Sequence, residues 1–251
     1  MSGHSKWATT KHRKGAQDAK RSALFSKLSR IITVAAKTGG DPNADNNASL
    51  AAAIAKAKSY SLPKDKIDTA IGKAFGAGAE GANYDEIVYE GYGPAGVALY
   101  VEALTENRNR TAADVRAAFT RAGGNLGATG SVAFQFERKG QITVSKVGVA
   151  DEDELMLAVA DAGGEDLAEG EEEWLVYTAP ADLASVAAAL EAAGVPVQGA
   201  ELVMEPVNPT VVSVEDAKKV MRLVDRLEES DDIQNVYYTM ELTDEIAAAL
   251  E

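Results

Sequence analysis

Two short stretches carry the residue types that do chemistry. The first is HSKWATTKHRK, residues 4–14. It sets Lys6, Lys11, Arg13 and Lys14 among Trp7 and the only two histidines of the chain, His4 and His12. Cationic side chains neutralise phosphates and release counterions. An indole can stack on an exposed base, and a histidine can stack or donate to phosphate. Trp7 has a second reading, as an apolar anchor onto the helix that follows. The second stretch is TENRNRT, residues 105–111, between a strand end and a helix start. Arg108 and Arg110 suit bidentate contacts to phosphate or guanine, and Asn107 and Asn109 suit turn or base-edge bonds. The alternative here is a strand–helix loop whose arginines pair with nearby acids.

Other chemistries find no footing. With no cysteine in 251 residues, disulfides, thiolate zinc sites, iron–sulfur clusters and a cysteine nucleophile are excluded. A Ser–His–Asp triad needs a fixed histidine in a cleft, and both histidines lie in the N-terminal stretch. There is no HExxH and no P-loop. GAGAEG (76–81) and GYGPAG (91–96) both match G-x-G-x-x-G. The first follows a helical pattern, and the second precedes strand-like VALYVEAL, with Pro94 lacking a backbone N–H. They read as a linker and a hairpin turn. Glu165, Asp166, Glu169, Glu171, Glu172 and Glu173 read as a solvated acidic loop. The expectation is a protein that is not an enzyme and takes no cofactor or metal.

Charge is unevenly spread. The chain carries 25 Lys+Arg and 39 Asp+Glu, net −14. Residues 1–80 hold 14 basic and six acidic residues; residues 81–251 hold 11 and 33. Residues 1–37 have nine basic residues against Asp18 alone. A basic end suits a polyanion, while the acidic remainder repels one. A basic tail kept for solubility is the plainer alternative. The longest uncharged run, Ala122–Phe136, is 15 residues long and rich in glycine, too short to span a membrane. The N-terminus has no apolar run of the secretory kind. A soluble, cytoplasmic protein with no membrane partner is expected.

The elements that position these residues follow from periodicity. Lys20 to Lys37 reads as a helix with Leu24, Leu28, Ile31 and Ala35 inward beside Phe25 and Ile32. Lys20, Lys27, Arg30 and Lys37 fall on its opposite side as an outward basic stripe. After GGDPNADNN come an Ala-rich helix near Ser49–Ser59 and, from Pro63, a third helix facing inward through Ile67, Ile71, Ala74 and Phe75. Residues 76–83 read as a linker. Two strands then flank GYGPAG, a helix runs from Thr111 to Ala122, and Val132, Phe134 and Phe136 suggest a further strand. Gly140 to Glu205 has the order βαββαβ, which is ferredoxin-like. A helix capped by Ser213 and a strand with Val236, Tyr238, Met240 and Leu242 close the chain and could complete the sheet begun at 85–136. The fold expected is α+β with three domains: an N-terminal helical bundle followed by two α/β domains, one of them ferredoxin-like. The boundaries expected are 1–80, then 81–137 with 206–251 as one discontinuous domain, and 138–205.

MSGHSKWATTKHRKGAQDAKR, GGDP (39–42), LPKDKID (62–68), YEGYGPAGV (89–97), TENRNRT (105–111) and GGNLGATGSVAFQFERKG (123–140) occur in order along nearly the whole chain. Together they resemble the YebC/PmpR family. Glu106, Ile31, Ala128 and Phe134 depart from its commonest pattern, and the basic and arginine motifs stay intact. The resemblance implies a helical N-terminal domain with two α/β domains. It implies nucleic-acid contact through Lys6, Lys11, Arg13, Lys14, Lys20, Arg21, Lys27 and Arg30, and by extension through Arg108 and Arg110. The family includes bacterial regulators of transcription, a mitochondrial translational activator, and ribosomal factors that relieve stalling on proline-rich sequence. The function expected is that of a non-enzymatic nucleic-acid-binding regulator acting at the ribosome on ribosomal RNA. No helix-turn-helix reader is evident, and an arm with Trp7 and histidines suits looped RNA. Transcriptional regulation on DNA is the alternative, and a protein-interaction module built on the βαββαβ domain is the remoter one.

Overall fold

A computed structural model describes residues 17–76, 84–149, 151–170 and 173–250, with side chains described from residue 21 onward. It is an α+β fold, with helices first and two four-stranded antiparallel sheets after them. The described residues form two compact units: 17–133 with 219–238, and 134–218 with 239–250.

The first unit opens with three helices: α1 (Gln17–Gly39), α2 (Ala48–Ser59) and α3 (Lys64–Phe75). Leu28, Ile32 and Ala36, spaced by four, give α1 one apolar face. That face packs on Leu50, Ala53 and Ala57 of α2 and on Ile67, Ala70 and Ala74 of α3. Two polar residues fasten the bundle from inside. Buried Thr33 donates its hydroxyl to the carbonyl of Ala70 at 2.9 Å. Buried Asn47 caps α2 by accepting from the Leu50 N–H, and its amide donates to the carbonyls of Ala35 and Asp41.

The same unit holds the sheet β3-β1-β2-β8. Strands β1 (Asp85–Tyr92) and β2 (Ala98–Thr105) form a hairpin around the GYGPAG turn. Helix α4 (Arg108–Arg121) leads to the short β3 (Asn125–Leu126) beside β1. A Cβ on Gly91 would stand 2.6 Å from the Asn125 carbonyl oxygen, so only glycine permits this approach. Strand β8 (Ile233–Tyr238) pairs with β2 from far along the chain. The expected strand through Val132, Phe134 and Phe136 is not formed. Residues 133–135 make one 3-10 turn, and the strand β4 (Phe136–Ser145) begins only after it. The last strand also stops short of Met240 and Leu242: Met240 instead forms a parallel bridge with Thr210.

In the second unit the order is β4, α5 (Glu152–Ala162), β5 (Asp166–Glu169), β6 (Glu173–Thr178), α6 (Leu183–Ala192), β7 (Val197–Pro206). The strands are arranged β5-β6-β4-β7, all neighbours antiparallel, which is compatible with the ferredoxin-like order. Ile142, Val144, Trp174 and Val176 of the sheet pack on Leu155, Val159, Val186 and Leu190 of the two helices. Helix α7 (Val214–Glu228) starts where Ser213 accepts from the Asp216 N–H, as a capping residue does. Helix α8 (Asp244–Leu250) ends the described chain. Among the described residues no helix is long and apolar enough to cross a membrane.

Candidate nucleic-acid interface

The candidates divide by where they fall. His4, Lys6, Trp7, Lys11, His12, Arg13 and Lys14 lie outside the described residues, and so does the side chain of Lys20. The rest stand on α1 and at the start of α4.

On α1, Arg21 is exposed and lies over the ring of Phe25, 5.3 Å from its centroid. Lys66 of α3 reaches the same ring at 5.5 Å. One turn and a half further along α1 the expected outward stripe is broken. Lys27 donates to the carbonyl of Glu228 at 2.8 Å. Arg30 donates to the carbonyls of Leu104 (2.9 Å) and Asp231 (2.8 Å) and to the Asp232 carboxylate (2.8 Å). Its guanidinium also lies 5.1 Å from the ring centroid of Tyr84. All three bonds come from one terminal nitrogen, Nη1, which thus gathers the end of β2 and the residues before β8 at a single point. Arg30 is thus a fastener between the bundle and the sheet rather than part of an outward stripe. Burial and a bond to Glu106 push the Tyr84 phenol up, against the lowering effect of Arg30.

TENRNRT is not the loop that was expected. Helix α4 begins at Arg108, three residues before the anticipated start. The cause is Asn107, whose side chain accepts from the Arg110 N–H and so caps the helix. Arg108, Asn109 and Arg110 form the exposed first turn. Arg108 approaches Asp85 only at 3.9 Å, with both side chains more than half exposed, a contact of little weight. Arg110 donates to Asp232 at 2.8 Å while its side chain stays 56% exposed.

Asp232 is therefore the centre of a small network. One carboxylate oxygen accepts from Arg30; the other accepts from Arg110 and from the hydroxyls of Thr111 (2.8 Å) and Thr105 (3.2 Å). Burial alone would raise its carboxyl, but the bonds from Arg110, Thr111 and Arg30 outweigh it and hold Asp232 below the usual carboxylate range. Its sequence context, ESDDIQN, resembles a solvated acidic turn, and the pairing runs across most of the chain. No local signal marks it.

A second carboxylate organises the uncharged run. Glu90 is 3% exposed and accepts from the backbone N–H groups of Gly130 (2.6 Å), Val132 (2.8 Å) and Ala133 (2.8 Å). Desolvation would raise it, yet these three bonds bring it below its ordinary value. The donors that a strand at 132–136 would have placed in a ladder are spent on Glu90, which explains why that strand is missing. Gly130 turns the loop with φ +85°. The only sequence clue is the glycine-rich loop itself, whose backbone donors must be satisfied somewhere.

The arrangement offers cations on α1, α3 and the first turn of α4. Among the described residues no group of three or more His, Cys, Asp or Glu is placed to hold a metal ion.

Comparison with known proteins bears on this unit and the rest of the chain alike. Residues 5–77 match the model of the TACO1/YebC protein N-terminal domain, and residues 84–240 match that of the TACO1/YebC second and third domain. A protein of Bifidobacterium animalis subsp. lactis, named probable transcriptional regulatory protein, is 50% identical over 252 residues, covering 100% of this chain and 99% of its own. One of Lactobacillus acidophilus with the same kind of name is 54% identical over 238 residues, 94% and 97% of the two chains. A crystal structure of a conserved hypothetical protein from Aquifex aeolicus superposes with a TM-score of 0.86 at 44% identity, over 96% of this chain and 98% of that one.

Proposed function

The chain belongs to the TACO1/YebC family, and on that footing we propose that it is a non-enzymatic regulator of gene expression that binds nucleic acid through its basic N-terminal helices. One observation carries the reading: basic residues outnumber acidic ones 14 to six in residues 1–80, in a chain whose net charge is −14. Phosphate binding depends on such a concentration of cations, and the acidic remainder limits non-specific adhesion.

The ligand in this proposal is ribosomal RNA, and the setting is the ribosome, where the protein relieves stalling on proline-rich sequence. The arm with Trp7, His4 and His12 suits unpaired bases, which duplex DNA does not present. A second reading is favoured by the names of the relatives, which are transcriptional. In it the ligand is promoter DNA.

Sedimentation of the tagged protein from gently lysed cells, with and without DNase, separates the two. Co-migration with ribosomal particles that ignores DNase and is lost at high salt supports the ribosomal reading. Sedimentation with the nucleoid that DNase abolishes supports the DNA reading and overturns the other.

A further inference from the structure

The ring of Phe25 is an unusual place for two positive charges to meet. Arg21 comes from α1 and Lys66 from α3, and each lies within 5.5 Å of the one ring centroid. The two charges are therefore no more than about 11 Å apart. Both side chains are exposed, and Phe25 is half-buried against the bundle core. Neither cation has an ion-pair partner among the described residues, in contrast to Arg30 and Arg110. Like charges held this close repel, and a bound anion would offset that repulsion. The ring quadrupole attracts each cation, and both charged groups remain exposed to solvent and so open to an anion.

We infer that Arg21, Phe25 and Lys66 form a phosphate-binding clamp, through which the sugar–phosphate backbone of a nucleic acid crosses from α1 to α3. This rests on the nucleic-acid reading above and deepens it, because it adds α3 to the interface. Two cations no more than about 11 Å apart can serve neighbouring phosphates of one strand, each neutralising its own. The clamp reads no base: guanidinium and ammonium groups placed this way contact phosphate oxygens, so it fixes the position of the strand and not its sequence. The contact does not require the chain's first 16 residues.

The test is the salt dependence of binding of the full chain to a labelled single-stranded RNA of mixed sequence. Each phosphate contact contributes about 0.7 to the log–log salt slope on a single strand. Lys66→Ala and Arg21→Ala should each shallow the slope by about 0.7, and the double variant by about 1.4. Lys66→Arg should keep the wild-type slope, since the charge remains. Lys218→Ala, an exposed lysine on α7 outside the basic N-terminal region, should leave it unchanged. A wild type that binds, with the slope unchanged by Lys66→Ala, overturns the clamp alone. A wild type that does not bind RNA or duplex DNA at low salt overturns the nucleic-acid reading and the clamp with it.

Discussion

The guanidinium of Arg30 lies 2.8 Å from the carboxylate of Asp232, 202 positions later in the chain. The two side chains are 17% and 9% exposed, so the pair is largely withdrawn from water. Removing one member of such a pair leaves the other buried without its partner, a loss of about 3–5 kcal/mol. Asp232→Ala strands Arg30, Thr105, Thr111 and Arg110 together and should lower stability by that amount. Arg30→Ala should cost less, because Arg110 and Thr111 still serve Asp232. Urea midpoints at constant slope measure both; an Asp232→Ala midpoint equal to wild type would show that the network contributes nothing.

The same carboxylate sets an acid limit. Asp232 has a folded-state pKa below its unfolded value of about 3.9. Its contribution is then complete above that value and is lost as the pH falls below it. The stability difference between wild type and Asp232→Asn should be constant from neutral pH down to about pH 5 and shrink below about pH 4. A difference that instead shrinks on going alkaline would contradict this assignment.

Glu90→Gln keeps the size of the side chain and discards the charge that three N–H donors share. Hydrogen bonds to a charged group are worth about 1.5–3 kcal/mol each, so losing the charge should cost about 2 kcal/mol or more. Amide exchange should quicken first at Gly130, Val132 and Ala133, ahead of the core of the sheet. Exchange that rises equally everywhere would mean that Glu90 does not hold the loop.

Glu205 behaves in the opposite sense. Burial raises its carboxyl, with Tyr177 and Lys139 opposing. A carboxylate raised on folding destabilises the native state as the pH rises through its folded value. Glu205→Gln should therefore gain stability relative to wild type at pH 7–8, and the gain should disappear near pH 4. Thermal midpoints across that range decide it.

Lys11→Ala, Arg13→Ala and Lys14→Ala combined should shallow the salt slope of duplex DNA binding by up to about three units, at about 0.9 per phosphate. Thermal stability should be unaltered, because the bundle core and the residues packed against it run from Leu24 onward. An unchanged slope would remove the arm from the interface.

Local patterns were legible where a repeat of three or four, or of two, met a solvent boundary. Leu24, Leu28, Ile31 and Ala35, beside Phe25 and Ile32, announced α1, although its fully buried residues are Leu28, Ile32 and Ala36, and the βαββαβ order announced the elements from β4 to β7. GYGPAG announced its hairpin through its turn residues. The same logic cannot reach Glu90, because a period of two does not show that a distant loop will cover the strand. It failed at Arg30 for a similar reason: a charged residue opposite an apolar face is read as solvated, and only the distant carbonyls of Leu104 and Asp231 decide otherwise. Asn107 reads as suited to turn or base-edge bonds and the helix as starting at Thr111, whereas Asn107 caps it and it begins at Arg108. Lys66 sat in plain view within LPKDKID, but nothing in one sequence places it on the ring of Phe25.

Arg30 and Asp232 also impose an order in time. A ribosome adding roughly 5–20 residues per second makes Asp232 on the order of 10–40 seconds after Arg30. During that interval the three-helix bundle has its own apolar centre but not its last fastening. Strand β8, the partner of β2, is absent for the same interval. The nascent chain therefore carries a cationic helical head, already able to meet phosphate, before the sheet that will anchor it has closed. Truncation after the third helix ends at Phe75 and before Asp232 would leave the whole bundle core but remove its fastening, and such fragments should compete with the finished protein.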